Sequence, residues 1–263
     1  MKTLLRTLYQ RLLAILAFLI VWEVAVRAGF LEPTPVPPAS SVLLALKDLL
    51  TTAEYSENTF ASLERMSLGY ALATLTAVPL GFLIGWWPIV EKCLGPLLSI
   101  FRQIPLIALF PVFILFFGLG EIPCVIILTL AAWWSILLNV ISGVQNIDPM
   151  LVKTARSFGA SQWVVLRKVV LPATVPSIFT GMRAAYSEVV LILIPVETMG
   201  VDAGWGIGVG SHEHHGVNHI LMYSMLISMA LAGVLIDYIL VSLEKELCKW
   251  KEKIESVPTP VLI

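Results

Sequence analysis

Long apolar runs decide what this chain can fold into. Runs near 12–31, 64–87, 97–117, 122–143, 173–197 and 219–243 are each long enough to cross about 30 Å of hydrocarbon, which takes roughly 20 helical residues. No water serves the backbone inside a bilayer, so a spanning segment must close its own hydrogen bonds. The expected fold class is therefore all-α: a polytopic membrane protein with about six transmembrane helices. Apolar residues make up 58% of the chain and charged ones 13%, too few charges for an ordinary soluble domain. A net charge of −1 excludes a nucleic-acid partner recognised by global charge.

The third run holds Pro105 and Pro111. Each removes a backbone donor, so a break or kink is expected there. The first run follows Lys2, Arg6 and Arg11 but contains Glu23, and Pro33-Thr-Pro-Val-Pro-Pro38 follows it without a small-residue cleavage site. It reads as a retained helix, not a signal peptide. Segment 39–51 is too short to span and reads as an interfacial helix. Cys93, Cys124 and Cys248 are dispersed and match no metal or disulfide spacing. The organisation expected is one membrane domain over 1–263. A first span at 12–31 precedes five core spans in about 60–245, and a tail follows at 250–263.

Basic residues set the sidedness. With the N-terminus inside, the cytoplasmic segments hold Lys2, Arg6, Arg11, Lys92, Lys153, Arg156, Arg167, Lys168, Lys245, Lys249, Lys251 and Lys253. The other side holds mainly Lys47 and Arg65 and is otherwise acidic, with Glu32, Asp48, Glu54, Glu57, Glu64, Glu121, Asp202 and Glu213. This is the positive-inside pattern, and it places both termini and the polar segment 148–172 in the cytoplasm.

That segment reads as two short helices. Asp148 suits an N-cap and Pro149 the first helical position. Gly159 suits the left-handed residue after a helix C-terminus. Leu151, Ala155 and Phe158 share one face at i, i+4 and i+7, while Lys153 and Arg156 lie on another. Ser161 caps a second short helix, which Pro172 is expected to separate from the next span. Ala155 is small enough to admit a close partner.

The spacing of Lys153-Thr154-Ala155, Gly159, Val169 and Leu171-Pro172 resembles the docking loop of ATP-driven importer permeases. In that loop Glu-Ala-Ala is followed by Gly and then by Ile-x-Leu-Pro. The Glu and first Ala are replaced here, and the spacing is kept. Further stretches carry the same likeness over nearly the whole chain: Pro79-Leu-Gly-Phe-Leu-Ile-Gly85, Phe101-Arg-Gln-Ile-Pro-Leu-Ile-Ala-Leu-Phe-Pro111, Phe117-Gly-Leu-Gly-Glu121, Gly143-Val-Gln-Asn-Ile-Asp-Pro149, Gly181-Met-Arg183 and Val196-Glu-Thr-Met-Gly200. Together they resemble permeases of the nitrate/sulfonate/taurine importer family. The resemblance implies a type I importer permease fold with cytoplasmic coupling helices in the cell membrane. It implies a second permease copy, two cytoplasmic ATPase subunits and an external solute-binding protein. Docking then falls to Lys153, Thr154, Ala155, Arg156, Phe158, Gly159, Leu171 and Pro172. The cargo implied is a small oxyanion, sulfonate or related organic compound. No Gly-x-x-x-x-Gly-Lys-[Ser/Thr] phosphate loop occurs in the sequence. The chain is thus expected to be no enzyme and to hold no cofactor, with ATP and Mg used by the partner.

Ionisable groups inside a span are expensive and point to function. Glu188 and Glu197 lie nine residues apart, about 13 Å and two and a half turns, hence on opposite faces of the fifth span. Glu197 matches a family Glu, and its bland role is to orient the glycine-rich stretch after it. Glu188 stands where the family usually has an apolar side chain. It either lines the pathway or satisfies a neighbouring span, with Asn139 and Arg102 as candidate partners. An unpaired Glu repels an anion, which leaves a neutral or cationic cargo, a protonated Glu188 or one turned away. Gly200, Gly204, Gly206, Gly208 and Gly210 follow a membrane helix and read as flexible backbone near an external gate. All four histidines, His212, His214, His215 and His219, cluster with Glu213. They are candidates for metal binding or a pH-sensitive gate, set against an ordinary polar loop. Two other functions compete: an ion-coupled carrier, and an intramembrane metalloenzyme using these carboxylates and histidines.

Overall fold

A computed structural model describes residues 2–33, 35–210 and 219–248. Its helices are α1 (Lys2–Arg27), α2 (Ala39–Leu49), α3 (Ala53–Trp86), α4 (Pro88–Phe101), α5 (Leu106–Phe117), α6 (Glu121–Gln145), α7 (Pro149–Ser157), α8 (Gln162–Val165), α9 (Leu171–Gly200), α10 (Trp205–Gly210) and α11 (His219–Leu247). No strand occurs among the described residues. Among them, α3, α6, the continuous helical stretch Gln162–Gly200 and α11 are long and apolar enough to cross a membrane, and α4 with α5 forms a bent pair. Residues 12–27 of the first apolar run lie in the 26-residue α1, which ends at Arg27.

Two expected boundaries are corrected. The run 97–117 is not one helix: α4 ends at Phe101, α5 begins at Leu106, and the axes bend by 89°. Pro105 sits in extended backbone at the N-cap of α5. It cannot donate to the preceding turn, and it disfavours helix in the residue before it. Pro172, by contrast, ends nothing. Residues Leu166–Val170 form a π-helical turn that joins α8 to α9, with the Leu171 amide donating to the Leu166 carbonyl. Thr174 Oγ1 donates to the Val170 carbonyl at 2.8 Å, and Pro172 stands in the first turn of α9. A wide turn shifts the hydrogen-bond register, so the missing proline donor does not stop the helix.

The chain divides into two compact units, 1–61 with 203–231 and 62–202 with 232–263. In the second unit α6 packs along α3 and α9 at close range. A Cβ on Gly81 would stand 2.7 Å from the Val140 side chain, and one on Gly181 2.8 Å from Asn139 Cβ. Small residues at such crossings let membrane helices gain dispersion contact that lipid cannot replace. Phe110, Cys124, Ile127 and Val196 join α5, α6 and α9 in one buried cluster.

In the first unit Glu23 of α1 accepts from the Ser40 amide at 3.0 Å and from Ser40 Oγ at 2.8 Å, tying α2 to α1. Val42 of α2 is buried, and its carbonyl accepts from Ser224 Oγ at 3.1 Å. The glycine-rich stretch is not open backbone. Its α10 is helical, the Gly204 amide donates to Asn58 Oδ1 at 2.7 Å, and Trp205 Nε1 donates to Thr59 Oγ1 at 2.9 Å.

Candidate functional site

The caps of residues 148–161 form as the sequence leads one to expect. Asp148 accepts from the Met150 amide at 2.8 Å. Gly159 has φ 78°. Its amide donates to the Arg156 carbonyl at 2.9 Å and the Ala160 amide to the Ala155 carbonyl at 3.1 Å. That pair of bonds is the Schellman closure, which serves carbonyls the last turn leaves open. Ser161 accepts from the Val164 amide at 3.4 Å. Lys153, Thr154, Arg156 and Leu171 are exposed, while Ala155 and Pro172 are half-buried. The sequence singled out Ala155 for close approach, yet the outermost groups are apolar. Phe158 is 87% exposed and Trp163 71%, with Met150 and Leu151 beside them in sequence.

The two carboxylates of α9 do face apart. Glu197 is fully buried. It accepts from Arg65 Nη1 at 2.7 Å and from Ser62 Oγ at 2.7 Å. Arg65, 4% exposed, also grips the Glu121 carboxylate through Nε and Nη2. One guanidinium thus ties α3, α6 and α9 together at the end of the unit opposite the 148–172 segment. Its fork geometry allows two carboxylates to be served at once. Glu188 is exposed and accepts from Ser135 Oγ of α6 at 2.7 Å. It lines a cavity of about 320 Å³ with Pro105, Leu106, Ile107, Leu191 and Ile192, where the broken helix turns. The expected partners are corrected here: neither Arg102 nor Asn139 bonds to Glu188. Arg102 is exposed at the end of α4, and Asn139 Nδ2 donates to its own helix, to the Ser135 carbonyl at 2.8 Å. A residue four places before Asn139 has the shorter reach to the same carboxylate.

The sequence pattern described as "Binding-protein-dependent transport system inner membrane component" matches residues 77–248. The chain belongs to this family. It is a permease, the membrane subunit of a binding-protein-dependent importer, and the readings as ion-coupled carrier and as metalloenzyme give way. The permease is 28% identical over 236 residues to the putative aliphatic sulfonates transport permease protein SsuC of Bacillus subtilis (strain 168), covering 89% of this chain and 85% of that one. It is 27% identical over 242 residues to the taurine transport system permease protein TauC of Escherichia coli (strain K12), covering 90% and 88%. Among solved structures it resembles an inward-facing MetNI methionine ABC transporter chain, with TM-score 0.62, 19% identity, and coverage of 72% of this chain and 94% of that one. The fold is therefore that of the type I importer permeases.

Three features of the permease site escaped the sequence reading. By its place in the sequence Arg65 reads as a cation outside the membrane, although a lone Arg opening a long apolar run is itself a signal for a buried partner. Ser135 gave no signal at all. Arg183 Nε pairs with Asp237 at 3.0 Å, joining α9 to α11, and two opposite charges inside two spans were the available clue. His212, His214, His215 and the 250–263 tail lie outside the described residues. His219 opens α11 with a buried Nδ1 that no described group serves. Among the described residues no group of ligands is arranged for a metal.

Proposed function

We propose that the permease docks cytoplasmic ATPase subunits through segment 148–172 and carries a small oxyanion, sulfonate or related organic compound. It works as a pair of permease copies with two ATPase subunits and an external solute-binding protein. Both termini are cytoplasmic. The observation that carries the docking is the exposed aromatic pair Phe158 and Trp163 on a doubly capped, basic two-helix segment. Rigid caps hold the segment in shape, and the aromatics supply desolvated contact area of the kind that anchors interfaces. Lys153 and Arg156 add charge at the rim, and Leu171 continues the exposed surface toward the span. The cargo class follows the sulfonate and taurine permeases that the chain resembles along most of its length.

The test is co-purification. Phe158→Asp or Trp163→Asp, made in the full chain in its native membrane, is expected to release the ATPase subunits and abolish substrate-stimulated hydrolysis. The amount of membrane-inserted permease should stay unchanged. Retention of ATPase by both variants would sink the docking assignment.

A further inference from the structure

Several carboxylates within the long apolar helices of this permease are met by a cation. Glu197 has Arg65, Asp237 has Arg183, and Glu23 has Arg27 at 2.6 Å. Glu188 has only the Ser135 hydroxyl, and no cation pairs with it among the described residues. The hydroxyl serves one carboxylate oxygen, Oε1. The remaining acceptor capacity faces the cavity at the α4–α5 break, whose other walls are Pro105, Leu106, Ile107, Leu191 and Ile192. An ionised carboxylate is tolerated within a span only where it meets a cation or water. Apolar walls supply neither.

We propose that Glu188 and Ser135 form a subsite for a cationic nitrogen of the cargo. The ion pair left open in the protein is completed by the passing solute. This rests on the oxyanion reading above and deepens it: the cargo is a zwitterion, bearing a protonated amine or comparable cation beside its acid head. A carboxylate alone would repel a simple anion. With a cation to meet it, the same group selects for the amine and leaves the acid head to other contacts. Ser135 fixes the carboxylate rotamer through its hydrogen bond, so little ordering remains when the amine arrives.

Two measurements test this. The first needs no cargo. In a full-length chain with Cys93→Ser, Cys124→Ala and Cys248→Ala, Leu191→Cys places a thiol on the wall beside Glu188. In native membranes a trimethylammonium-bearing methanethiosulfonate should outpace the sulfonate-bearing reagent by about tenfold, beyond their ratio on a free thiol. Glu188→Gln should remove that excess, and Glu188→Asp should keep it. An unchanged ratio with Glu188→Gln, or no reaction with either reagent, overturns the subsite. The second measurement is uptake by the assembled importer of 3-aminopropanesulfonate and of propanesulfonate. Glu188→Gln should lower uptake of the amine relative to its amine-free counterpart by about tenfold. If both enter at a ratio that Glu188→Gln leaves alone, the subsite fails and the oxyanion reading stands. If neither enters while the thiol still prefers the cation, the oxyanion reading and the zwitterion fail and the cation subsite stands.

Discussion

Arg65 is the residue on which the second unit most depends. It is buried with two carboxylates around it, one fully buried and one partly open to solvent. A buried ion pair is weak evidence for net stability, because both charges lost their hydration. Breaking it is another matter. Arg65→Leu leaves the Glu197 carboxyl without its cation among apolar helices, and is expected to cost about 3–5 kcal/mol. Arg65→Leu combined with Glu197→Leu removes both charges and should recover much of the loss. Thermal unfolding of the purified permease, followed by tryptophan fluorescence, checks the order. A double variant no more stable than Arg65→Leu alone would mean that the pair is needed for its own sake. Glu197 stands out in the sequence as a carboxylate within a span, but its pairing with Arg65 does not: the two are 132 positions apart, and sequence periodicity reports only neighbours three or four residues away. Glu188 was visible as a carboxylate in an apolar run, and its exposure to a cavity was not, for the same reason.

At the level of elements, what was legible was local. Caps, helix periods and apolar lengths depend on adjacent residues, so α7, α6 and α11 fall close to where the sequence puts them. Prolines misled in both directions, because a proline's effect depends on the turn that receives it. Pro105 stands outside a helix and breaks the run. Pro172 follows a π-helical turn and passes within it. Gly159 offers a clean test of cap against surface. Its φ is +78°, and a Cβ there would meet nothing within 4 Å. Gly159→Ala therefore adds backbone strain without a clash, about 1 kcal/mol. Gly159→Asn should cost less, since Asn tolerates the left-handed region. Hydrogen exchange of the α7 amides reads this directly. About fivefold faster exchange is expected for Ala and a smaller change for Asn. Equal behaviour of the two variants would show that the closure does not set the stability of α7.

For the molecule as a whole, the broken pair α4–α5 raises the question of parity. A re-entrant loop returns the chain to the side it left, whereas a broken span delivers it across. The contacts of the second unit decide between them. Arg65, near the start of α3 in this unit, meets Glu121 at the start of α6 and Glu197 near the end of α9. The Gly120 amide also donates to the Gly200 carbonyl at 2.9 Å. These groups share one end, and Trp86, Gln145 and Leu171 belong to the other. The chain thus leaves α3 at one end and enters α6 from the opposite one, so α4 and α5 together make one net crossing. With α3, α6, α9 and α11 that makes five crossings, and a sixth through α1 would bring both termini to one side, as the distribution of Lys and Arg leads one to expect. The native thiols provide the measurement. Cys93 is exposed just after α4 begins, whereas Cys124 and Cys248 are buried. In intact cells a membrane-impermeant maleimide should leave Cys93 unmodified and react with it once the membrane is opened. Glu54→Cys, near the start of α3, should react in intact cells. If α4–α5 were re-entrant instead, α6 would start on the side of Cys93, and Ile122→Cys, one residue into α6, would be shielded with it. Labelling of Ile122→Cys from outside together with Glu54→Cys, while Cys93 stays protected, is the pattern a single broken span demands.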